Sequence, residues 1–324
     1  MQSDFVRLAV AAVSATALLL AAGAGRAQEY PVKPINILVP NAAGGSSEIL
    51  GRILAPKLTA FLKQPVLVIA RPGGNGIIGL DATAKAAPDG YTMVLGNTQQ
   101  FVRIYLEPEM KPPFSLKDFA PVTMIGETPL VIVAHPSFPA RTLKELIDYS
   151  RANPGKVSFG AQSSRSYEFD MIRFDQKLDM ISVPYPGGAG EMIRDLMGGH
   201  IQLNAATTSA VISQIKSGAF RAIAMMSERR DPTLPEVPTV VEEGFPAYQS
   251  ALWFGIALPV ATPRPIVDKV NAAFVAVLAD EEIKKQFFNR AVIARSSSPA
   301  EFQQFIASEL ARWRKVADAI NVKK

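Results

Sequence analysis

The loop from Pro40 to Glu48, with the sequence Pro-Asn-Ala-Ala-Gly-Gly-Ser-Ser-Glu, carries groups that suit an anion. It lies between an apolar run, which predicts a buried strand, and a helical pattern that begins at Ile49. Glycines let successive backbone N–H groups converge, and the first turn of a helix adds unpaired donors and partial positive charge. Ser46 and Ser47 add hydroxyls that can cap the helix or donate to a ligand. The loop indicates a carboxylate site, with phosphate as the competing ligand and an ordinary strand-to-helix turn as the non-functional alternative.

Three further loops, over 160–166, 184–190 and 207–209, each follow a predicted strand in the second half of the chain. In open α/β sheets, ligands bind outside the carboxyl ends of the strands, so two facing lobes would bring all these loops to one cleft. Their donors are mainly hydroxyls, amides and backbone N–H groups, and Arg165 is the main charged candidate. Arg165 could instead point to water and pair with Glu168. Mostly neutral donors favour binding and release over chemistry.

The candidate ligand-binding residues lie in these loops and in two more, after the second and third predicted strands. They are Asn41, Ala42, Ala43, Gly44, Gly45, Ser46, Ser47, Glu48, Asn75, Asn97, Thr98, Gln162, Ser163, Ser164, Arg165, Tyr185, Gly187, Thr207 and Thr208. We expect the ligand to be a small organic anion, and the sequence predicts neither a cofactor nor a bound metal.

Motifs of common enzyme classes are missing or incomplete. The chain has no cysteine, and its two histidines, His135 and His200, do not stand at metal-ligand spacing. The nucleophile motif G-x-S-x-G does not occur. The segment Gly74–Gly79 fits G-x-G-x-x-G, but extra residues separate it from the preceding strand, and no acidic residue ends the next strand. These features argue against a hydrolase and against a nicotinamide cofactor.

Residues 1–27 have the features of a secretory signal peptide. Arg7 precedes an uncharged apolar run over 8–22, and Gly25 and Ala27 are the small residues that a signal peptidase reads. The run is shorter than the roughly 20 residues of a membrane span, and the absence of cysteine excludes a lipid-modified anchor. We expect cleavage before Gln28 and a soluble, monomeric protein in the periplasm, with full secretion as the alternative.

The net charge of the 324-residue chain is +5, without a block of Lys or Arg, so nucleic acid is not an expected partner. Strands predicted over 35–39, 65–69 and 91–95 alternate with helices, which indicates a parallel sheet with covered faces. A second α/β series follows over 142–205. Extended stretches over 121–133 and 252–258 are candidate crossovers between two lobes. Apolar stripes and a capping box at 298–301 predict helices at the end of the chain.

The order of several short motifs resembles the Bug receptors, the periplasmic substrate-binding proteins of tripartite tricarboxylate transporters. Besides the Gly44-Gly45 loop, the motifs are Tyr30-Pro-Val-Lys-Pro-Ile35, Arg71-Pro-Gly-Gly, Pro88-Asp-Gly-Tyr91, Asp118-Phe-Ala-Pro-Val122, Asn153-Pro-Gly-Lys156, Val183-Pro-Tyr185, Leu234-Pro-Glu-Val-Pro-Thr239 and Trp253-Phe-Gly255. The resemblance implies an α/β, type II periplasmic-binding-protein fold with two crossover segments and a small carboxylate in the cleft. It also implies inner-membrane permease subunits as partners. The expected first lobe comprises 28–125 and 229–324, and the expected second lobe 126–228.

The sequence departs from the family at the expected site. The family usually has an aromatic residue where Asn41 stands, Asp where Glu48 stands, and often Lys or Arg where Pro186 stands. Asn41 suggests a more polar ligand, and Arg165 could replace the lost positive charge. Two functions remain open: a transport receptor that delivers its ligand to a permease, and a sensory receptor that presents it to a signalling protein. An enzyme on the same fold is a third, less favoured possibility.

Overall fold

The computed structural model describes residues 30–41, 43–107, 109–162, 166–185 and 189–321, and the predicted signal peptide lies outside these ranges. The strands are β1 (Ile35–Val39), β2 (Val66–Ala70), β3 (Thr92–Asn97), β4 (Phe119–Ala134), β5 (Ser158–Gln162), β6 (Ile181–Tyr185), β7 (Leu203–Thr207), β8 (Arg221–Met225), β9 (Ala251–Pro259) and β10 (Ile293–Ala294). The α-helices are α1 (Ser46–Leu62), α2 (Ile77–Ala84), α3 (Thr98–Phe101), α4 (Leu143–Ala152), α5 (Tyr167–Asp175), α6 (Ala189–Met197), α7 (Thr208–Lys216), α8 (Arg264–Leu278), α9 (Glu281–Phe288) and α10 (Pro299–Asn321). No helix within these ranges combines the length and the apolar character that a membrane crossing requires.

The first half of the sheet has the strand order β2-β1-β3-β9-β4. As the alternation of strands and helices predicts, β1 pairs in parallel with β2 and with β3. Strand β9 enters between β3 and β4 and runs antiparallel to both. Its direction is reversed because β9 belongs to the chain that returns from the second half. On one face, Leu50, Leu54 and Leu58 of α1 share a core with β1 and α8.

Strand β4 belongs to both halves of the sheet. Its residues 119–129 pair with β9, its residues 130–134 pair with β7, and its residues 131–134 also pair with β8. The predicted extended stretch over 121–133 is therefore one continuous strand that crosses between the halves. The second half then has the order β6-β5-β7-β4, with β8 on the other edge of β4. Because β5 pairs in parallel with β6 and β7, the second half repeats the arrangement of the first.

Helix α10 also connects the two halves, in addition to β4 and to the chain that returns through β9. Near its start, the Phe302 ring fills the space beside Gly255 of β9, where an added Cβ would approach it to 2.1 Å. Further along the same helix, the Trp313 ring meets the Tyr167 ring of α5 edge to face, with centroids 5.8 Å apart. The helix therefore packs against both halves, which its apolar stripe alone did not predict.

The backbone joins three segments where the chain crosses between the halves. The N–H of Leu130 donates to the carbonyl of Ser250, and the N–H of Met226 donates to the carbonyl of Leu130. The N–H of Ser250 in turn donates to the carbonyl of Met226. Between Met226 and β9 the chain remains beside the helices of the second half. There Glu243 accepts a hydrogen bond from the start of α4, and Tyr248 bonds to α5. Residues 229–250, expected in the first lobe, thus contact the second half of the sheet.

Candidate functional site

Two sets of strand ends face each other along β4. Asn97, at the carboxyl end of β3, and Gly126 of β4 both lie opposite Phe254 in the sheet register. Thr207, at the carboxyl end of β7, lies opposite Leu130. From Gly126 to Leu130 the strand advances about 13 Å, at roughly 3.3 Å per residue. The carboxyl ends of the two halves therefore face each other along β4.

The loop before α1 is organised by Glu48. Its Oε2 accepts the N–H of Gly44 at 2.6 Å, and its Oε1 accepts two N–H groups of Arg52 at 2.9 and 2.6 Å. The Gly44 N–H, and secondarily Arg52, hold the pKa of Glu48 below its usual value of 4.5. Both carboxylate oxygens of Glu48 therefore have hydrogen-bond partners within the protein. Glu48 shapes the loop, and the first-turn N–H groups at Ser46 and Ser47 have no partners of their own within the helix.

Gly44 gives this loop its curvature. Its φ is +81°, a left-handed conformation that L side chains rarely adopt, and among the described residues only its chain neighbours come within 4 Å of an added Cβ. Gly45, at the N-cap of α1, has extended backbone and makes no side-chain cap, so the helix end stays open. Ala43, Gly44 and Ser46 are exposed on the same loop. This geometry leaves room for a ligand directly before the helix.

Four buried side-chain oxygens near the strand ends have no hydrogen-bond partner within the part of the chain that the structure describes. They are Asn41 Oδ1, Ser47 Oγ, Thr128 Oγ1 and Thr208 Oγ1. A buried polar group without a partner costs about 1–3 kcal/mol, so such groups mark places where water or a ligand supplies the bond. Asn41, Ser47 and Thr208 were predicted from the sequence. Thr128 was missed, although a polar residue in the apolar crossover strand is a readable signal.

Asn97 and Thr98 use their side chains to fix the end of β3. The Asn97 side chain accepts the N–H of Gln99 at 2.8 Å and so caps α3. The Thr98 hydroxyl accepts the N–H of Trp253 at 3.1 Å. Asn75, in the turn after β2, has a φ of 55°, and its side chain lies 3.7 Å from the sulfur of Met110. The side chains of Asn97 and Thr98 position the strand end and its neighbour β9.

In the second half, Tyr185 ends β6 and donates its hydroxyl to Asp195 at 2.7 Å. Burial, aided by the Asp195 carboxylate, raises the pKa of Tyr185 to about 12. Thr207 precedes α7 with its hydroxyl 3.2 Å from that of Ser209, and Thr208 is fully buried in the first turn of α7. The N-terminus of α7 thus faces the crossover from the second half, as that of α1 does from the first.

Several predicted residues cannot be placed. Ala42, Ser163, Ser164, Arg165 and Gly187 lie outside the described residues, and of Gln162 only the backbone, paired with Tyr185 at the end of β5, is described. Glu168, the alternative partner proposed for Arg165, accepts hydrogen bonds from Arg103 and Ser250.

A cavity of about 630 Å³ lies beside the crossover segments, away from the predicted loops. None of the candidate ligand-binding residues lines it; Glu127 and Pro129 of β4 do. Because side chains alternate along a strand, Thr128 points to the opposite side of β4. The Glu127 carboxylate pairs with Arg295 across this cavity wall at 3.2 Å. We therefore place the candidate ligand site at the strand ends and not in this cavity.

The arrangement at the strand ends offers hydroxyls, amides and two open helix N-termini. Within the described residues, it does not group three His, Asp or Glu side chains as metal ligands. Such donors can surround the oxygens of a carboxylate without changing it.

The sequence matches a known protein family. Residues 50–322 match the family described as tripartite tricarboxylate transporter family receptor. The protein BugT of Bordetella pertussis is 35% identical over 293 residues, which cover 89% of each chain.

Solved structures have the same fold. The R. palustris protein Rpa4515 with adipate has a TM-score of 0.75 at 27% identity, covering 90% of this chain and 98% of that one. MatC from Rhodopseudomonas palustris with bound malate has a TM-score of 0.72 at 25% identity, covering 89% of this chain and 100% of that one. The predicted α/β fold of two lobes with crossover segments is confirmed, and the two halves of the sheet are the lobes.

Proposed function

Since this chain belongs to the tripartite tricarboxylate transporter receptor family, we propose that it binds a small organic carboxylate and delivers it to a permease of that transporter type in the inner membrane. The observation that carries the proposal is the set of unpartnered buried oxygens at facing strand ends. Ser47 and Thr208 belong to the first turns of α1 and α7, whose N-termini favour negative charge.

The proposed ligand spans the cleft from α1 to α7. A carboxylate group at each helix N-terminus would accept hydrogen bonds from the unpaired N–H groups of both helices. The separation of the facing strand ends along β4 suits a short dicarboxylate. The adipate bound to Rpa4515 and the malate bound to MatC make these two compounds the first probes to test. In this proposal the protein binds and releases the ligand unchanged and is not an enzyme.

The proposed first lobe ends at 125, where the crossover of β4 begins. We place the return to it at Ser250-Ala251, later than the sequence suggested, because Glu243 and Tyr248 bond to the second lobe. The proposal also includes cleavage of the signal peptide before Gln28, a periplasmic location and a monomeric state.

Calorimetric titration with adipate and malate tests the proposal. We expect one of them to bind the wild type, and Ser47→Ala to weaken this binding because it removes a buried hydroxyl that has no partner among the described residues. Ser150→Ala is the matched control, since the Ser150 hydroxyl in α4 is also buried without a partner among the described residues but lies outside the candidate site. Equal affinity in the wild type and Ser47→Ala would contradict the assignment of this site. Failure of both dicarboxylates to bind would contradict the proposed ligand class.

A further inference from the structure

Arg103 joins the two lobes through a buried ion pair that lies outside the candidate ligand site. It belongs to the 3₁₀ turn Arg103–Tyr105, which follows α3 in the first lobe. Its guanidinium donates to Oε1 of Glu168, in the first turn of α5 in the second lobe. The two side chains are 19% and 6% exposed, so water and salt screen this pair far less than a surface pair.

The same carboxylate oxygen of Glu168 also binds the segment around Ser250, through which the chain returns to the first lobe. The Ser250 hydroxyl donates to Oε1 of Glu168 at 3.1 Å. The Ser250 backbone is itself bonded to Leu130 and Met226, the other two segments of the crossover region. One oxygen atom therefore connects a helix of the second lobe, an arginine of the first lobe and the segment between them.

Aromatic rings enclose the ion pair. The Arg103 guanidinium lies 5.2 Å from the centroid of the Tyr167 ring and 5.9 Å from that of Trp313 in α10. The Tyr167 hydroxyl donates to Glu107 at 3.0 Å, which is a second bond between the lobes. Tyr167 and Trp313 are each 1% exposed. The pair is thus held where a change in the angle between the lobes would disturb it.

We propose that Arg103 is a positioning residue for ligand binding, and that its ion pair with Glu168 sets the angle between the lobes in the ligand-free protein. Removing one partner leaves the other charged and buried, which is strongly unfavourable unless water reaches it. Opening the lobes admits that water. Because α5 starts directly after Ser166, the pair also fixes where Ser166 lies relative to the first lobe.

Small-angle scattering of the ligand-free protein tests this proposal independently of any ligand. We expect Arg103→Gln and Glu168→Gln each to increase the radius of gyration. The double exchange Arg103→Glu with Glu168→Arg should return it toward the wild-type value, because the pair forms again with reversed charges. Tryptophan emission should shift in the single variants and recover in the exchange, since Trp313 lies against Arg103.

The matched control is Arg173→Gln, which breaks the ion pair of Arg173 with Asp170 within α5. That pair is as deeply placed, with side chains 25% and 1% exposed, but it does not connect the lobes. We expect this variant to lower thermal stability and to keep the wild-type radius. An unchanged radius in folded single variants, or an equal increase in Arg173→Gln, would overturn the proposal. If Arg103→Gln does not fold, Glu168→Gln alone decides, and a wild-type radius in that folded variant would assign the pair to stability alone.

Discussion

Glu48 has a role that differs from the one expected of a residue in a ligand-binding loop. Its carboxylate bonds to the Gly44 N–H and to Arg52, so its charge is balanced inside the protein. An Asp side chain at this position would be shorter by one methylene. The longer side chain of Glu48 reaches back across the loop, which the sequence alone could not reveal because the reach depends on how the loop folds.

The variant Glu48→Gln should be less stable than the wild type at neutral pH. Because the pKa of Glu48 is lowered in the folded protein, its stabilisation is fully present above about pH 4.5 and is lost as the pH falls through the folded value. The difference in melting temperature between the two proteins should therefore shrink as the pH falls from 7 toward about 3. A difference that stays constant over this range would show that the carboxylate charge does not matter.

Thr208 and Thr123 form a natural pair for separating stability from binding. Both are fully buried, but the Thr208 hydroxyl has no partner within the described residues, whereas Thr123 donates to Met124 and accepts from Ser297. We expect Thr208→Val to leave the free energy of unfolding unchanged or raise it, and to weaken ligand binding. Thr123→Val should lower the free energy of unfolding by about 1–3 kcal/mol, because Met124 and Ser297 lose their hydrogen-bond partner. It should leave the affinity for the ligand unchanged. Denaturant unfolding of both variants measures this. A loss in Thr208→Val as large as in Thr123→Val would mean that Thr208 is structural.

At the scale of elements, the loop before α1 depends on a left-handed glycine. Gly44→Val forces a β-branched residue into a φ of +81°, with a strain of about 1–3 kcal/mol, although its added atoms meet open space. We expect lost ligand binding with a native circular dichroism spectrum. Gly218→Val is the matched control, because Gly218 has a φ of +77°, equally open surroundings and a position beyond the far end of α7. Equal affinity in both variants would mean that the loop is only a turn.

The local sequence pattern predicted most strands and helices, because apolar runs and capping boxes can be recognised in the sequence. It failed for α7, α9 and β8. Helix α7 is short and contains the β-branched residues Val211 and Ile212, which weaken a helical prediction. Helix α9 had a readable signal in Asp280, whose side chain caps it at Glu282 and Ile283. The antiparallel entry of β9 depends on the path of the whole chain, which no local window contains.

At the scale of the whole molecule, the two lobes are connected by β4, by the return at Ser250 and by α10. Each lobe supplies only part of the candidate site, since α1 and α7 lie on opposite sides of the crossover. The sequence predicted this division, but the packing of α10 across both lobes depends on distant partners such as Tyr167. Ser163, Ser164, Arg165 and Gly187 remain predicted members of the site.

Ligand binding should bring the lobes together, because contacts from both are needed to satisfy Ser47 and Thr208. We expect a smaller radius of gyration in solution scattering at saturating ligand. Trp253, which is buried against Phe101 near the return crossover, should change its emission in parallel. A scattering profile that is identical with and without ligand would argue against closure.

Mass spectrometry of the ligand retained by gently purified protein tests the central claim most directly. The protein should be exported and purified without denaturation, and the bound compound released and identified. We predict a small organic acid with at least one carboxylate group, and its loss from Gly44→Val but not from Gly218→Val. A retained neutral solute, or a phosphate compound without a carboxylate, would contradict the proposed function.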